Sequence, residues 1–376
     1  MGAQATAATT TLACFACGRQ HDAAAQAGVC ESCGMPLRVD VALPAGGPAE
    51  RIRTQIRSLW RYDAMLPVDR GAAVTLDEGW TPVLAIGDGV WVKDESRNPT
   101  GSFKARGMSL AVSAAVARGA QRLVAPSAGN AAGALAAYGA RAGVPVAVAM
   151  PADTPRPFVD ECRHYGAKVD LVDGTIADAG RFLAERSRPD DVDVSTMREP
   201  YRVEGKKTMG YELFEQFDGD LPDVVVYPTG GGTGLVGMAK AWDELESMGW
   251  IGGRRPRLVA VQAEGCRPVV DAHQRGATTT ASWPQPSTSA YGLRVPAPIG
   301  GFLCLRALDA TDGTAVAVPE DRIHAAAGAL AAHSGLDICP EGGAAWAAYE
   351  LLVEQGWIGP HERTVVFNTG TGLKYR

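Results

Sequence analysis

A single lysine lies in a segment whose neighbours would make its amine reactive. Residues 98–107 are NPTGSFKARG, so Lys104 follows a Pro/Gly turn, Ser102 and Phe103, and a helix is predicted to start at Ala105. A lysine that is partly desolvated at the mouth of a cleft can lose its proton, and the neutral amine can form a Schiff base with an aldehyde. The segment therefore predicts that Lys104 binds an aldehyde-bearing molecule covalently.

A glycine-rich loop later in the chain has the properties of an anion-binding loop. Residues 223–234 are DVVVYPTGGGTG, and the helix-forming run LVGMAK follows them. This pattern predicts a strand, a loop and a helix N-terminus, where outward-pointing N–H groups and the helix dipole favour a dianion. The spacing is neither the dinucleotide-binding Gly-x-Gly-x-x-Gly pattern nor a P-loop. By itself the loop could also be a tight strand-to-helix turn, but beside the lysine segment a phosphate-binding loop is favoured.

Two further loops carry polar side chains after short apolar runs. Residues 125–132, APSAGNAA, contain Ser127 and Asn130, and residues 365–374, VVFNTGTGLK, contain Thr369. Considered alone, Ser127 or Asn130 would be interpreted as the N-cap of the alanine-rich helix that follows. The presence of all four segments in one chain favours a shared binding site instead.

In this order the four segments resemble those of fold-type II pyridoxal-phosphate (PLP) enzymes, and in particular the threonine synthase family. The resemblance implies that PLP is bound to Lys104 and that the glycine loop holds its phosphate. It also implies that the Asn130 amide donates to the 3-oxygen of the cofactor, and that Ser127 with neighbouring N–H groups holds the substrate carboxylate. The implied cofactor contacts are Phe103, Lys104, Asn130, Gly230, Gly231, Gly232, Thr233, Gly234 and Thr369.

The C-terminal segment resembles the family's Thr-Gly-His-Gly-Leu-Lys ending, with Thr371 in place of the histidine. By its position, Thr369 would form a hydrogen bond with the pyridine nitrogen of the cofactor. A neutral hydroxyl there leaves the ring nitrogen largely unprotonated, which weakens the electron sink. The resemblance therefore implies elimination and replacement chemistry rather than transamination.

Residues 195–208, STMREPYRVEGKKT, are similar to the family segment whose arginine binds the substrate phosphate, which implies that role for Arg202. An exposed salt bridge is the other interpretation of Arg202. The family often has Asn-Ser where this chain has Thr196 and Met197, and Ala131 replaces a common hydroxyl bearer. Each hydrogen bond to a charged group contributes about 1.5–3 kcal/mol, so a substrate phosphate would lose several donors. We therefore expect O-phosphohomoserine to be turned over poorly and a bulkier or less charged amino acid to be preferred.

Four of the eight cysteines form two Cys-x-x-Cys pairs near the N-terminus. Tetrahedral zinc takes four thiolates, and each pair would deliver two of them from one side, as in a zinc ribbon. A redox pair or an inert cluster is the alternative. Threonine synthases of one branch begin with such a ribbon, and four ligands leave no open position, so a structural Zn²⁺ is implied for Cys14, Cys17, Cys30 and Cys33. The other four are interpreted as buried apolar residues, namely Cys162, Cys266, Cys304 and Cys339.

The composition and net charge of the chain limit the classes of protein to which it can belong. The chain has 376 residues, 46% hydrophobic and 21% charged, with a net charge of −6. These values are typical of a globular protein, and the lack of a basic run argues against nucleic-acid or anionic-membrane partners. No stretch approaches the roughly 20 apolar residues of a membrane span. The first ten residues lack a basic region before an apolar core, so a disordered tail and a cytoplasmic location are expected.

Alternating strands and helices predict an α/β fold with parallel sheets. The resemblance covers nearly the whole chain and implies the fold-type II, tryptophan synthase β-like architecture. We assign residues 1–40 to a tail and zinc ribbon, 41–97 with 202–376 to a large PLP-binding domain, and 98–201 to a small α/β domain. The predicted strands are Arg122–Ala125, Val144–Met150, Lys168–Val172, Val224–Pro228, Arg257–Ala263 and Thr364–Asn368.

Three charged residues outside the four segments have competing or structural interpretations. Glu341 opens a predicted helix after Pro340, where it would either approach the cofactor ring or compensate the helix dipole. Lys93 and Glu95 are predicted to form structural ion pairs.

A loop that begins at Pro284 is predicted to cover the cleft.

The resemblance implies a PLP-dependent carbon–oxygen lyase or synthase. Lys104 would remove the α-proton, and a β- or γ-leaving group such as phosphate or water would depart, with or without addition of a nucleophile. Two assignments stay open: threonine synthase itself, or a divergent paralogue such as a dehydratase, a cysteate-synthase-like β-replacement enzyme or an eliminase of specialised metabolism. A zinc-ribbon interaction protein on an inactive scaffold is disfavoured because the cofactor residues are all present. The implied partners are an amino-acid or phospho-amino-acid substrate and a second copy of the chain in a homodimer.

Overall fold

The computed structural model describes residues 10–25 and 28–376, and the strands within them form three sheets. The tail predicted over the first ten residues lies outside the described residues, apart from Thr10, which begins the first strand. In chain order the strands are β1 (Thr10–Cys14), β2 (Gln20–His21), β3 (Leu37–Val41), β4 (Val83–Gly87), β5 (Val90–Asp94), β6 (Arg122–Pro126), β7 (Val146–Pro151), β8 (Lys168–Val172), β9 (Asp191–Asp193), β10 (Val224–Pro228), β11 (Arg257–Ala263), β12 (Thr314–Val318) and β13 (Thr364–Asn368).

Helices cover the faces of the two larger sheets. The α-helices in chain order are α1 (Pro48–Arg51), α2 (Lys104–Ala117), α3 (Asn130–Ala142), α4 (Arg156–His164), α5 (Ile176–Glu185), α6 (Tyr201–Gln216), α7 (Thr233–Ser247), α8 (Pro268–Gln274), α9 (Gly301–Asp309), α10 (Glu320–Ser334) and α11 (Pro340–Glu354), and α1 has no buried residue. Short 3-10 helices lie at Leu59–Met65, Arg70–Ala72, Glu95–Arg97, Tyr291–Leu293 and Gly372–Tyr375. Among the described residues, no helix has the length and apolar character that crossing a membrane requires.

The largest sheet has six strands in the order β12-β11-β10-β13-β5-β4. Its neighbours pair in parallel except for β4 and β5, which are antiparallel. Because successive side chains of a strand point to opposite faces, Val225 packs into the core that contains α6 and α7, while Val224 and Val226 pack into the core that contains α10 and α11. Burial on both faces explains why β10, with the sequence VVVYP, has no charged residue.

The second sheet has four parallel strands in the order β8-β7-β6-β9. Its apolar core includes Leu123 and Val148 from the strands and Met108 and Leu135 from α2 and α3. The predicted strands of both sheets are confirmed, with Val144–Met150 observed as Val146–Pro151. Strands β4, β5, β9 and β12 were not predicted, and the assigned domain boundaries stay a prediction.

The third sheet is antiparallel, has the order β2-β1-β3, and carries the N-terminal cysteines. Leu12 and Leu37 of this sheet lie in one apolar cluster with Trp60 and with Leu110 and Ala114 of α2. The small N-terminal sheet therefore rests on the helix whose first residue is Lys104.

A buried ionic network joins the beginning of α2 to the six-stranded sheet. The guanidinium of Arg106 contacts Glu95 at 2.7 Å and Glu212 at 2.5 Å, and the ammonium of Lys93 contacts Glu212 at 2.7 Å. All four side chains are fully buried. Burial alone would raise the pKa of Glu212, but Arg106 and Lys93 lower it to about 2. The structural pairing predicted for Lys93 and Glu95 is confirmed.

Replacing Arg106 by methionine should lower the free energy of unfolding by about 3–5 kcal/mol, because two buried carboxylates lose their shared partner. The control is Arg156→Met, which removes a solvent-exposed ion pair with Asp160 on one turn of α4. That exposed pair should contribute no more than about 0.5 kcal/mol. Urea-induced unfolding followed by circular dichroism measures both losses, and equal losses would contradict a dominant role for the buried network.

Candidate active site

A cavity of about 580 Å³ is lined by residues from all four of the segments that are predicted to share a binding site. Its wall contains the loops that follow β6, β7, β9, β10 and β13, together with the first residue of α2. Loops at the carboxyl ends of parallel strands are where ligands bind in α/β sheets. Every predicted cofactor contact lines this cavity, and so does Ser127.

Lys104 is the first residue of α2, one position before the predicted helix start, and it lies on the cavity wall. Its Nζ atom is 4.3 Å from the centroid of the Phe103 ring, which in turn packs edge-on against Tyr227. The pKa of Lys104 is lowered to about 7, mainly by burial and secondly by the charge of the nearby Arg202 guanidinium. Near neutral pH this amine is therefore available both as a base and as a nucleophile.

The lysine segment is joined to the C-terminal segment by backbone hydrogen bonds. The Phe103 N–H donates to the Thr369 carbonyl at 3.0 Å, and the Thr371 N–H donates to the Gly101 carbonyl at 2.9 Å. These bonds connect the beginning of α2 with the end of β13, so Lys104 and Thr369 face the same cavity. Thr371, which replaces the family histidine, accepts from the Leu373 N–H and caps the last 3-10 helix.

The glycine loop presents a row of unused donors. The first hydrogen bond of α7 runs from the Val236 N–H to the Gly232 carbonyl at 3.0 Å, and within the described residues the N–H groups of residues 231–235 donate to no oxygen. Gly232 has a φ of +79°, and a Cβ on Gly231 would lie 2.6 Å from Thr196 Cγ2. Free N–H groups at a helix N-terminus, without side chains in the way, fit a phosphate dianion.

Asn130 begins α3, but the residue at the N-cap position is Gly129 and no side chain forms a cap bond there. The interpretation of Asn130 or Ser127 as an ordinary N-cap is therefore wrong. The Asn130 Oδ1 atom accepts from Lys374 Nζ at 3.1 Å, and its Nδ2 atom is 3.5 Å from the Tyr375 hydroxyl. Its side chain is thus held by the C-terminal residues.

Glu341 lies in the first turn of α11 and also lines the cavity. Its Oε1 atom accepts from the Gly292 N–H at 2.6 Å and from the Tyr375 hydroxyl at 3.0 Å. Its Oε2 atom is buried and has no partner among the described residues. The adjacent Cys339 thiol is 3.7 Å from Thr369 Oγ1, and burial, followed by the charge of Glu341, raises the pKa of this thiol.

The substrate side of the cavity differs from expectation at Met197. Ala131 and Thr196 line the cavity, but Met197 does not. Met197 has a φ of +61° and is buried, and a Cβ on Gly300 would lie 2.8 Å from its Cε atom. Met197 has a left-handed backbone, and its side chain packs against Gly300 instead of lining the cavity. The expectation that Met197 borders a substrate phosphate is therefore wrong.

Arg202 is placed behind the cavity wall, where it is 1% exposed. Its Nη1 atom donates to the Val194 carbonyl at 2.9 Å, whereas Nε and Nη2 are buried without a partner among the described residues. The alternative interpretation, an exposed salt bridge, is therefore wrong. Burial lowers the pKa of Arg202 to about 10, against the effects of Glu199 and Asp193. Its role towards a substrate phosphate stays a prediction.

The four N-terminal cysteines lie together in the antiparallel sheet. Their Sγ atoms are all within 4.8 Å of one another, and Cys14 and Cys30 are buried while Cys17 and Cys33 are exposed. Gly18 and Gly34 follow the two pairs with φ values of +72° and +70°, as tight knuckles require. Four thiols at this separation are the donor set of a closed tetrahedral metal site. The other cysteines are all buried, as predicted.

Several lining residues were not found from the sequence. Tyr291, Arg294 and Trp283 come from the loop between α8 and α9, and Tyr375 comes from the last 3-10 helix. Pro286, in the loop predicted to cover the cleft, lines the cavity, and the covering role of this loop stays a prediction. Arg294 approaches Asp153 at 3.7 Å, and both residues line the cavity. No spacing or periodicity marks these residues, because they reach the site only through tertiary packing.

Comparison with known proteins gives consistent matches. Residues 74–370 match the family described as "Pyridoxal-phosphate dependent enzyme". The chain is 34% identical to a threonine synthase of Methanosarcina acetivorans over 375 residues, covering 96% of this chain and 92% of that protein. It is 32% identical to a threonine synthase of Methanocaldococcus jannaschii with the same coverage.

Among solved structures, an L-serine ammonia-lyase from Rhizomucor miehei superposes with a TM-score of 0.68 at 22% identity, covering 79% of this chain and 97% of that one. A threonine deaminase (T.th.) superposes with a TM-score of 0.61 at 25% identity, covering 77% and 91%. A serine racemase from maize gives a TM-score of 0.65 at 23% identity, with 78% and 88% covered. These likenesses concern the fold.

The lowered pKa of Lys104 gives a testable pH dependence. An amine reacts with acetic anhydride only when neutral, so acetylation of Lys104 in the cofactor-free protein should rise with pH through a midpoint near 7. Competitive labelling followed by mass spectrometry of the Lys104 peptide measures this midpoint. In protein unfolded by urea the midpoint should return to the ordinary lysine value, about 10.4. A midpoint near 10 in the folded protein would contradict the predicted environment of Lys104.

Proposed function

Because the chain belongs to the threonine synthase family of pyridoxal-phosphate dependent enzymes, we propose that the cavity around Lys104 is its active site for elimination from an amino acid. The protein is a PLP-dependent lyase with the fold-type II architecture. The observation that carries the site assignment is the convergence of Lys104, the glycine loop, Asn130 and Thr369 on one cavity.

The residues of the cavity fit PLP in three respects. The free N–H groups of residues 231–235 suit its phosphate, and the Lys104 amine suits its aldehyde. The Asn130 amide and the Thr369 hydroxyl suit its ring, at the 3-oxygen and at the pyridine nitrogen. When bound, PLP supplies an electron sink that stabilises negative charge at the α-carbon of an amino acid. We assign to this site the cofactor contacts Phe103, Lys104, Asn130, Gly230, Gly231, Gly232, Thr233, Gly234 and Thr369.

The chain's own groups would perform the proton transfers and the positioning. Lys104, with a pKa of about 7, accepts a proton from the substrate α-carbon and returns one later, since a base poised near the working pH serves both steps. Ser127 and N–H groups at the start of α3 bind the substrate carboxylate. Phe103, Tyr227 and Tyr291 make part of the wall apolar and reduce the access of water.

For the substrate we propose a phosphorylated amino acid of the O-phosphohomoserine class, with water added after elimination to give threonine. The relatives at 34% and 32% identity are threonine synthases. With Met197 outside the cavity, Ser195 and Thr196 remain there as hydroxyl bearers, so the case against a phosphate is weaker than the sequence suggested. One observation favours a less charged substrate instead: Arg202 does not line the cavity.

The cofactor assignment is tested by reduction with borohydride. After incubation of the protein with PLP, the pyridoxyl label should be found on Lys104, because its neutral amine lines the cavity. Peptide mapping locates the label, and Lys104→Ala should remain unlabelled. Lys206 offers an internal control, since it is fully buried and does not line the cavity. A label on Lys93 or Lys206, or no label, would contradict the assignment.

The substrate assignment is tested by steady-state kinetics with O-phosphohomoserine, O-phosphoserine, threonine and serine. We expect O-phosphohomoserine to give threonine and inorganic phosphate with a kcat/KM on the order of 10⁴ M⁻¹s⁻¹ or higher, as for ordinary enzymes. Faster release of ammonia from serine or threonine would instead identify a dehydratase-type paralogue. Arg202→Met should raise KM for the phosphorylated substrates alone if this arginine reaches their phosphate.

We also propose that Cys14, Cys17, Cys30 and Cys33 bind one structural Zn²⁺. Their Sγ atoms form a compact cluster, and the Cys14 sulfur accepts N–H groups of Ala16 at 3.3 Å and Cys17 at 3.4 Å. Such N–H groups stabilise the thiolate that zinc requires. The homodimer implied by the resemblance is a further proposal, and so is the cytoplasmic location expected from the sequence.

Metal analysis tests the zinc proposal. Wild-type protein should contain about one zinc per chain, as a closed four-thiolate site holds a single ion. Cys14→Ala should lose the metal and unfold at a lower temperature, while Cys162→Ala, which changes a buried cysteine outside the cluster, should keep it. The same zinc content in both variants, or none in the freshly purified wild type, would refute the proposal.

A further inference from the structure

The last 3-10 helix, Gly372–Tyr375, places two side chains on either side of the Asn130 amide. Lys374 Nζ donates to Asn130 Oδ1 at 3.1 Å, and the Tyr375 hydroxyl lies 3.5 Å from Asn130 Nδ2. Asn130 and Tyr375 line the cavity, and Lys374 stands behind them. The C-terminal helix therefore contacts both ends of an amide that faces the active site.

An amide has a donor end and an acceptor end, so its neighbours decide which end faces a ligand. Lys374 is ion-paired with Glu161 at 2.8 Å, and an ammonium group only donates hydrogen bonds. The end of the Asn130 side chain that meets Lys374 must therefore be its carbonyl oxygen. The Nδ2 end is then directed to the other side, where Tyr375 lies.

The hydrogen bonds of Tyr375 also require that the Nδ2 end of the Asn130 amide faces its hydroxyl. Its hydroxyl donates its one proton to Glu341 Oε1 at 3.0 Å, and the Gly292 N–H donates to the same oxygen at 2.6 Å. Burial, followed by the charge of Glu341, raises the pKa of Tyr375, so the hydroxyl keeps its proton. With that proton used, the hydroxyl oxygen can only accept from Asn130 Nδ2. One of the two N–H groups on this amide remains for a ligand in the cavity.

The helix that carries these side chains is held firmly. Lys374 also donates to the Thr100 carbonyl at 2.8 Å. The Tyr375 ring stacks on Tyr291 with centroids 6.5 Å apart and meets the edge of Phe158 at 5.4 Å. Contacts to α4, to the lysine segment and to the cavity loop fix the position of both residues, and a fixed neighbour can impose a direction on the amide.

We propose that Lys374 and Tyr375 are positioning residues that orient the Asn130 amide so that it presents an N–H group, and not its carbonyl oxygen, to the cofactor. This inference rests on the proposed PLP site, in which the 3-oxygen of the cofactor is an acceptor. If the amide were reversed, its carbonyl oxygen would face that oxygen, and binding would lose a hydrogen bond and gain a repulsion. Lys374 would then control cofactor affinity although it does not itself line the cavity.

A double-mutant cycle tests this inference through PLP binding to the cofactor-free protein, measured by absorbance titration. Lys374→Met and Asn130→Ala should each weaken PLP binding on the order of tenfold, the effect of losing about one hydrogen bond. If Lys374 acts through Asn130, the double variant should bind no more weakly than Asn130→Ala alone. Tyr375→Phe should keep its ring contacts and weaken binding less. Leu373→Ala changes an exposed neighbour in the same helix and should bind like the wild type.

Two outcomes would overturn the inference: wild-type affinity in Lys374→Met, or a double variant whose loss is the product of the two single losses. If Lys374→Met does not fold because Glu161 is left unpaired, Lys374→Met combined with Glu161→Gln removes that charge and takes its place in the cycle. Failure of the proposed function can be distinguished from failure of this inference. If the proposed function were wrong, borohydride reduction of the wild type with PLP would leave no pyridoxyl label on Lys104.

Discussion

The burial of Arg106 between Glu95 and Glu212 is the constraint on which the active site depends. Arg106 lies two residues after Lys104, in the first turn of α2, whereas Glu212 belongs to α6 and Glu95 follows β5. A buried charge is tolerated only when it is paired, so these three side chains cannot separate at low cost. The network therefore fixes the beginning of α2 against the six-stranded sheet, and with it the position of the Lys104 amine.

The cavity offers different partners to the two reactive parts of PLP: backbone N–H groups for its phosphate and the Lys104 amine for its aldehyde. Anion binding at the glycine loop uses backbone N–H groups and a helix dipole, which bring no titratable proton. Lys104 can then be neutral near pH 7, because burial and Arg202 disfavour its charged form. The division lets one small cavity hold a dianion and a reactive amine together.

The N-terminal cysteine sheet is connected to the same helix at its other end. Leu110 and Ala114 of α2 pack in one apolar cluster with Cys14 and Cys30, and Arg118 donates to the Ala23 carbonyl at 2.8 Å. The ionic network holds the first turn of α2, and the cysteine sheet covers its later turns. Order in the cysteine cluster thus supports the helix that carries Lys104, although none of the four cysteines lines the cavity.

The sequence by itself determined the elements and the backbone features of the site. Valine-rich runs define the buried parallel strands, the glycines at 230–232 and 234 define a loop without side chains, and the Cys-x-x-Cys pairs define a compact thiol cluster. These features are local, because periodicity, glycine and short spacings act over a few residues. For the same reason Lys104 could be located from its immediate neighbours.

Only the tertiary structure decided where isolated side chains point. Met197 turns away from the cavity on a left-handed backbone, and Arg202 stays behind the wall, although both lie in a segment that the sequence assigns to the substrate. Tyr375 enters the cavity because the last 3-10 helix packs against α4 and the loop before α9. Contacts between residues that are far apart in the chain leave no pattern in the sequence, since side-chain direction follows from packing and not from spacing.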